Sequence, residues 1–289
     1  MNNKKQNGGV DIEKYISTEI CAPGNPGVKL RNGQICCFSL DALVGISKAF
    51  NEYYSSNKIP YKSILGGLNG DSSNHEEVYN KLWSALKKNM KTCKSKNETC
   101  WIEQPFMYNI EESDIVNLIT KETFKPLRPL GEKQWLSNLD IEDIMAQYQK
   151  IIPEFYYYGP YPSDVHDERV KEIFGMPYRS YVEMLHGGTD NYKKNGKTAK
   201  YMAMTFNTDP HTRGGAHWVT LSILPRNDTV YFDYFDSVGK YPNAGIRKYI
   251  DELIDSCKES GLHNEIKFRV NRTQHQKKNS ECGVYSINY

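Results

Sequence analysis

The sequence predicts an α+β fold, and three observations favour that class. Apolar residues recur at helical spacing in several segments and alternate with polar residues in others. These segments do not repeat as strand–helix–strand units, which would indicate a parallel α/β sheet. The 289 residues are 38% hydrophobic and 25% charged, a composition typical of a soluble globular protein of one large or two modest domains.

Four segments show the 3.6-residue period of amphipathic helices. The first begins at Ser39 and runs through Tyr53, and the second covers residues 76–91. Two more are predicted at 140–151 and 245–260. Because the first two precede a proline-bearing linker, we expect residues 1–112 to form a mostly helical accessory region and residues 113–289 to form a second domain.

Strands are predicted at 154–158, 201–206 and 265–270, together with a hairpin at 217–236. If Arg226 and Asn227 are the central turn residues, His217 lies opposite Asp236 and Asp233 lies opposite Thr220. The two-residue period of a strand places His217 and Asp236 on one face and Asp233 on the other. The hairpin therefore favours Asp236 as the partner of His217, and a one-residue slip would reverse that choice.

A candidate nucleophile lies near the C-terminus. A lone cysteine is usually a small buried side chain, but Cys282 precedes a segment that can open a helix, and a helix N-terminus lowers a thiol pKa. Its backbone N–H is then a natural donor to an oxyanion, and the amide of Gln276 lies six residues earlier. His217 can keep the thiol ionised and Asp236 can orient the imidazole, which completes a nucleophilic site.

These motifs, in this order, resemble the family of SUMO-specific proteases and adenovirus-type maturation proteases over roughly residues 115–289. The matching stretches are Trp135-Leu136, His217-Trp218, 234–239, Gln276 and 281–283. Within that family, the spacing from His217 to Asp236 and the long N-terminal extension are most similar to the polyprotein-processing proteases of African swine fever virus and giant viruses.

The resemblance implies a papain-like-related core with a central mixed sheet flanked by helices, and it makes 113–289 a cysteine protease catalytic domain. It implies Cys282 as nucleophile, His217 as general base and then acid, Asp236 as orienting group and Gln276 as oxyanion donor. Trp135 and Trp218 would wall a channel that binds substrate and admits only Gly-Gly before the cut bond, because two indoles leave no room for a Cβ. Core packing is the alternative for both tryptophans.

The implied function is a thiol endopeptidase that processes viral structural polyproteins at Gly-Gly-X sites during virion maturation. A protease for SUMO or ubiquitin-like modifiers is the alternative, because those tails also end in Gly-Gly. Two readings of another class stay open: a non-catalytic module that binds a Gly-Gly tail, and an acetyltransferase that uses the same triad. The intact set of four catalytic residues argues against the binding module.

Composition limits the cofactors and the location. No apolar run approaches the ~18 residues of a membrane span, and the polar N-terminus has no secretory signal. Seven cysteines without framework spacing predict neither zinc nor disulfides, and the consecutive residues 164–167 would point their side chains apart around a metal. We therefore expect no cofactor, no metal, no membrane partner, and reduced thiols in the host cytoplasm, its viral factory and the virion.

The far end of the second helix carries five lysines, at Lys87, Lys88, Lys91, Lys94 and Lys96. They indicate a solvated helix end or a docking patch for nucleic acid or an acidic virion partner. Members of the resembling family continue well past the cysteine, whereas this chain ends seven residues after it, so we expect a C-terminally truncated catalytic domain.

Overall fold

The computed structural model forms two compact units, one spanning Asp11–Leu127 and the other beginning at Arg128 and ending at Tyr289. The sequence places its domain boundary earlier, between residues 112 and 113. The structure describes residues 21–67, 74–93, 98–109, 123–126, 135–174, 193–194, 197–198, 200–261 and 263–289.

The N-terminal unit is mostly helical in its described residues. Its elements are β1 (Val28–Lys29), β2 (Ile35–Cys36), α1 (Leu40–Tyr53), α2 (Tyr61–Leu65), α3 (His75–Asn89), α4 (Thr99–Ile102) and a 3₁₀ helix (Pro105–Asn109). Helices α1 and α3 lie where the helical period predicts them. The sequence predicts no strand at β1 or β2, because strands of two residues are too short to show a period.

The buried carboxyl group of Glu98 connects three segments of this unit. Glu98 is 2% exposed, and it accepts hydrogen bonds from the indole N–H of Trp83 and, at 3.1 Å, from the backbone N–H of Cys37. Burial raises the pKa of Glu98 despite these bonds. The side chain therefore connects α3, the residue after β2 and the start of α4 through one desolvated group.

The expectation of seven reduced cysteines is wrong for this structure. Cys21 pairs with Cys37, and Cys93 pairs with Cys100, with Cα–Cα distances of 5.2 and 5.7 Å. Cys36, Cys257 and Cys282 are free. The sequence spacing of 16 and 7 residues matches no framework pattern, so only the folding of the chain reveals which thiols meet.

The C-terminal unit is built around one mixed sheet. Its elements are α5 (Asn138–Ile151), β3 (Phe155–Tyr157), α6 (Glu168–Ile173), β4 (Lys193–Lys194), β5 (Lys197–Thr198), β6 (Tyr201–Asn207), β7 (Trp218–Arg226), β8 (Thr229–Phe235), α7 (Ala244–Glu259), β9 (Glu265–Val270) and α8 (Cys282–Asn288). The sheet order is β3-β6-β7-β8-β9. The outer pairs β3–β6 and β8–β9 are parallel, and the inner pairs are antiparallel. The predicted mixed sheet flanked by helices is confirmed.

Helices cover the two faces of this sheet. Val219, Leu221 and Phe232 share one buried cluster with α7. On the other face, Trp218 clusters with Cys282 of α8 and with residues of α5. The Thr220 hydroxyl donates a 2.8 Å hydrogen bond to the carbonyl of Ser286, which attaches α8 to β7. The nucleophile therefore lies at the start of a helix that is fixed to the central strand.

The hairpin turn differs from its prediction by one position. Arg226 pairs with Thr229, so Asn227 and Asp228 form the turn, and direct pairing of His217 with Asp236 is wrong. Asn227 takes a φ of +53°, a conformation that asparagine tolerates better than arginine. Moving the turn by one residue changes each strand partner by two positions. Because two positions preserve the face, His217 and Asp236 still share a side.

The described helices of both units are short. The longest, α7, has 16 residues, whereas a membrane-spanning helix needs about 20. Within the described ranges, no helix has the length and apolar character needed to cross a membrane.

The N-terminus of α5 gives a test of stability. The Ser137 hydroxyl accepts a hydrogen bond from the backbone N–H of Asp140, whose carboxylate accepts one in return from the Ser137 backbone. We expect Ser137→Ala to lower the free energy of unfolding by about 1 kcal/mol. Urea denaturation measures this loss. Ser137→Thr, which keeps the hydroxyl, should recover most of it, and equal losses in both variants would contradict the capping role.

Candidate active site

His217 and Asp236 meet at one end of the hairpin. His217 directly precedes β7 and Asp236 directly follows β8, and because the two strands are antiparallel these ends are adjacent. The Nε2 atom of His217 lies 2.7 Å from Oδ1 of Asp236. Asp236 is 2% exposed, and its Oδ1 also accepts a 2.8 Å hydrogen bond from the backbone N–H of Val238. The carboxylate is therefore fixed before any substrate binds.

Cys282 contacts the other side of the imidazole. Since Nε2 of His217 bonds Asp236, Nδ1 is the ring nitrogen left for the hydrogen bond with the Cys282 thiol. The thiol is buried, and burial by itself would raise its pKa. The hydrogen bond from His217, backbone N–H groups of Trp218 and Gly283, and the charge of His217 outweigh burial and hold the pKa of Cys282 below its usual value.

The imidazole is shifted in the opposite direction. Burial would lower the pKa of His217, but the hydrogen bond to Asp236, followed by that to Cys282 and the nearby negative charges, raises the pKa to about 9. A thiol with a lowered pKa beside a histidine with a raised one favours a thiolate–imidazolium pair at neutral pH. This pair is the activated form of a cysteine nucleophile.

Gln276 is held by a residue that the sequence did not single out. The buried Ser237 hydroxyl donates a 2.7 Å hydrogen bond to Oε1 of Gln276, and the Ser237 carbonyl accepts from the Gln276 backbone N–H at 2.9 Å. The Gln276 Nε2 donates to the carbonyl of Lys278 at 2.5 Å. Ser237 thus fixes which end of the amide is the donor, and one N–H of Nε2 is left for an oxyanion. In the sequence, Ser237 appeared only as one position of the matching stretch 234–239, with no role of its own.

The Trp135-Leu136 motif reaches the site through Leu136. The Nε1 of Trp218 donates a 2.8 Å hydrogen bond to the Leu136 carbonyl, which fixes the indole plane. A Cβ on Gly283 would lie 3.0 Å from the Leu136 Cβ, so the glycine after Cys282 lets α8 approach this segment. Trp135 itself is 42% exposed, more than core packing explains.

One side chain closes the loop that ends at His217. The Oδ1 of Asn207 accepts 3.0 Å hydrogen bonds from the backbone N–H groups of Asp209 and Ala216, so it joins both ends of the loop. A Cβ on Gly215, whose φ is +92°, would lie 2.6 Å from Nδ2 of Asn207. Asn207 and Gly215 therefore fit together directly before His217. Sequence reasoning missed this role of Asn207.

A second set of contacts joins the segments that follow β8 and β9. The Nδ2 of Asn271 donates a 2.8 Å hydrogen bond to the Asp236 carbonyl. Gly239 has a φ of +76°, and a Cβ there would lie 2.9 Å from the Arg272 carbonyl oxygen. Because β8 and β9 are parallel, both segments leave the sheet at the same edge and can pack this closely.

The arrangement supports covalent catalysis by a thiolate. Cys282, His217 and Asp236 form one hydrogen-bonded chain, and the backbone N–H of Cys282 and the amide of Gln276 are the candidate oxyanion donors. In the described part of the chain, no cluster of three His, Cys, Asp or Glu side chains could hold a metal ion.

Known proteins match both the sequence and the fold. The catalytic domain of the Ulp1 protease family (Peptidase_C48) matches residues 163–289. A protein of Acanthamoeba polyphaga mimivirus, named as a thiol protease, is 30% identical over 254 residues, which cover 88% of this chain and 78% of that protein. A protein of African swine fever virus, named as a SUMO-1 cysteine protease, is 27% identical over 229 residues, which cover 76% of this chain and 81% of that protein.

A crystal structure of the African swine fever virus protease in selenomethionine form has the same fold. It superposes with a TM-score of 0.62 at 20% identity and covers 96% of this chain and 86% of its own. A second crystal structure of that protease gives a TM-score of 0.57 at 21% identity, covering 77% of this chain and 81% of its own.

The paired pKa shifts predict a bell-shaped pH profile. The thiolate is lost as the pH falls through the lowered pKa of Cys282, and the imidazolium is lost as the pH rises through about 9, the pKa of His217. In Asp236→Asn the charge that raises the pKa of His217 is absent, so the basic limb should move to lower pH and kcat/KM should fall about a hundredfold or more.

Peptide hydrolysis from about pH 4 to about pH 10 measures both limbs. A basic limb that does not move in Asp236→Asn would contradict the electrostatic role of Asp236.

Asn207 should act on the rate through the position of His217. In Asn207→Ala both hydrogen bonds to the loop are lost, and we expect kcat to fall about tenfold to a hundredfold because a displacement of about 1 Å is enough for such a loss. Asn207→Asp keeps the accepting oxygen and should recover most of the rate.

The measurement is kcat alongside the urea midpoint of each variant. A positioning role requires that the loss of kcat exceed any loss of folded protein, and equal activity of both variants would exclude it.

Proposed function

The chain belongs to the Ulp1 protease family and is a cysteine protease, and we propose that it is an endopeptidase that cuts the peptide bond after Gly-Gly. The observation that carries this proposal is the Cys282–His217–Asp236 chain beside the fixed indole of Trp218. The three hydrogen-bonded side chains supply the nucleophile. The indole of Trp218, which follows His217 in sequence, supplies a rigid wall.

The geometry supports a two-step acyl transfer. The Cys282 thiolate attacks the carbonyl carbon of the scissile bond, and the developing oxyanion accepts hydrogen bonds from the backbone N–H of Cys282 and the Gln276 amide. His217 donates its proton to the leaving amine, and the amine departs. Water, deprotonated by His217, then attacks the thioester and releases the acid, while Asp236 holds the imidazole in one orientation throughout.

The two tryptophans account for the preference for glycine. The indole N–H of Trp218 is fixed on Leu136, so its plane cannot turn away from a bound chain. Trp135 precedes Leu136 and is partly exposed, which makes its indole available to the opposite side of the substrate. A strand passing between two flat indoles has room for Cα hydrogens and none for a Cβ.

Viral structural polyproteins are the proposed substrates, cut during virion maturation. The named relatives that support this assignment belong to mimivirus and African swine fever virus. The proposed location is the host cytoplasm, in the viral factory, and the virion. A protease for SUMO-like modifiers is the second candidate, because one relative carries SUMO-1 in its name.

The lysine-bearing end of α3 is a proposed docking surface of the accessory unit. Lys87 and Lys88 lie in its last turn and Lys91 follows, whereas Lys94 and Lys96 lie outside the described residues. Lysines at a helix C-terminus also complement the helix dipole, so a solvated helix end explains them equally well. Nucleic acid or an acidic virion protein would be the partner.

Peptide cleavage tests the specificity. Gly-Gly-X peptides, matched Gly-Ala-X and Ala-Gly-X peptides, and intact SUMO and ubiquitin precursors are incubated with the protein, with Cys282→Ala as the inactive control. We expect cleavage after Gly-Gly in short peptides and at least a hundredfold loss with either alanine, because a Cβ between the indoles must displace one of them.

A second variant, Trp135→Ala, separates the role of the indole wall from general catalytic activity. Trp135→Ala opens the channel, so the ratio of kcat/KM for the Gly-Gly peptide to kcat/KM for the Gly-Ala peptide should become smaller. If only the folded SUMO or ubiquitin precursors are cleaved, the protein is a protease for these modifiers. Cleavage of all peptides at the same rate would contradict the Gly-Gly channel.

A further inference from the structure

The segments that hold the catalytic side chains carry an excess of positive charge. Four exposed cations, here called the basic rim, lie in residues 237–241 and 271–281: Lys240, Arg272, Lys277 and Lys278. The same segments contain one carboxylate, that of Glu281. The chain as a whole is nearly neutral, with a net charge of +2. The basic rim is therefore a local excess of charge in a balanced protein.

Hydrogen bonds and close packing connect the basic rim to the reacting groups. Lys278 contributes the carbonyl that accepts from Nε2 of Gln276. The Arg272 carbonyl packs on Gly239, three residues after Asp236. Lys240 directly follows Gly239, and Lys277 directly follows Gln276. Each cation thus belongs to a backbone segment whose position is set by the catalytic residues.

The cations of the basic rim are not neutralised inside the described chain. Within that part of the protein, no carboxylate approaches Lys240, Lys277 or Lys278 closely enough for an ion pair, and none pairs with Arg272. The guanidinium of Arg272 lies 4.1 Å from the ring centroid of Tyr241, which leaves its N–H edge free for an acceptor. Glu281 accepts from the backbone N–H of Lys278 at 3.3 Å.

We propose that the basic rim binds acidic residues of the substrate that flank the cut bond. The proposal rests on the proposed endopeptidase function and adds a charge preference to it. A chain that places its scissile bond at Cys282 must pass the segments that hold Asp236 and Gln276. Carboxylates on that chain would meet four unpaired cations, and this complementarity raises the rate of encounter and fixes register.

An acidic polypeptide fits this surface better than a nucleic acid does. The basic rim lies on the segments that present the nucleophile, so its ligand and the scissile chain occupy the same place. Proteins that bind duplex nucleic acid through phosphates typically use about six to ten such contacts, and the basic rim offers fewer.

Peptides that differ only in their flanks test this proposal. Three Gly-Gly-X peptides carry acidic, neutral or basic residues outside the same central sequence. We expect kcat/KM for the acidic peptide to exceed that for the neutral one about tenfold at low ionic strength, through a lower KM. The ratio should shrink toward one at about 0.5 M salt, because salt screens exposed charges.

Charge reversal provides the matched variant. In Lys240→Glu/Lys277→Glu the preference for the acidic peptide should be lost, because two of the four cations become anions, while the neutral peptide is cut at the rate of the unaltered protein. Lys248→Glu is the control, because Lys248 is exposed on α7, which packs on the opposite face of the sheet. This control should keep the preference for acidic flanks.

Three outcomes would overturn the proposal. They are equal rates for acidic and neutral peptides in the unaltered protein, an acidic preference that survives charge reversal, and displacement of the acidic peptide by a short DNA oligonucleotide at lower concentration than by a free acidic peptide. The last outcome would make the basic rim a nucleic-acid surface.

Binding to Cys282→Ala separates this proposal from the endopeptidase function. Fluorescence anisotropy of the three labelled peptides measures the charge preference without cleavage. If no Gly-Gly peptide is cut but the acidic one still binds more tightly, the endopeptidase proposal fails and the basic rim stands. If the peptides are cut and all three bind with the same affinity, the proposal for the basic rim is wrong and the endopeptidase proposal stands.

Discussion

The contact between His217 and Asp236 is the interaction on which the rest of this site depends. It places a carboxylate that is 2% exposed beside a half-buried imidazole, and an isolated carboxylate there would be strongly unfavourable. The fold compensates with a second donor, the backbone N–H of Val238, and with the imidazole itself. Both groups reach the carboxylate because β7 begins next to the point where the antiparallel strand β8 ends. The hairpin therefore positions these two side chains in addition to forming the centre of the sheet.

The lowered pKa of Cys282 follows from that pair. Burial disfavours a thiolate, and a seven-residue helix such as α8 is marginal without tertiary support. The bond from Thr220 to the Ser286 carbonyl and the packing of Leu136 on Gly283 supply that support. With α8 fixed, the thiol contacts His217 and the backbone N–H groups of Trp218 and Gly283. The hydrogen bonds and charges around the pair then override desolvation, lowering the pKa of Cys282 and raising that of His217 to about 9.

Periodicity predicted the elements that carry this chemistry, and it failed where function depends on tertiary contacts. The partner of His217 was found despite a wrong turn because strand faces alternate with period two, and an error of two positions leaves the face unchanged. Ser237 and Asn207 carry no such pattern. Their roles depend on where Gln276 and Gly215 arrive after folding, and one hydroxyl or amide among many gives no signal in advance. The same limit applies to the paired cysteines and to Glu98, whose partners come from separate elements.

Parallel pairing of β8 with β9 explains why catalysis and charge share one edge of the sheet. The strands end side by side, so the segments after them must pack together, as Asn271 on Asp236 and Arg272 on Gly239 do. Side chains that point inward from these segments are committed to the triad and to the oxyanion donors. Side chains that point outward carry no such constraint and are free to select among substrates. The cations proposed to contact a bound chain are exposed to water, and water and salt screen their field at the buried carboxylate of Asp236. Selectivity at this edge can therefore change through Lys240, Lys277 and Lys278 while Cys282, His217 and Asp236 stay as they are.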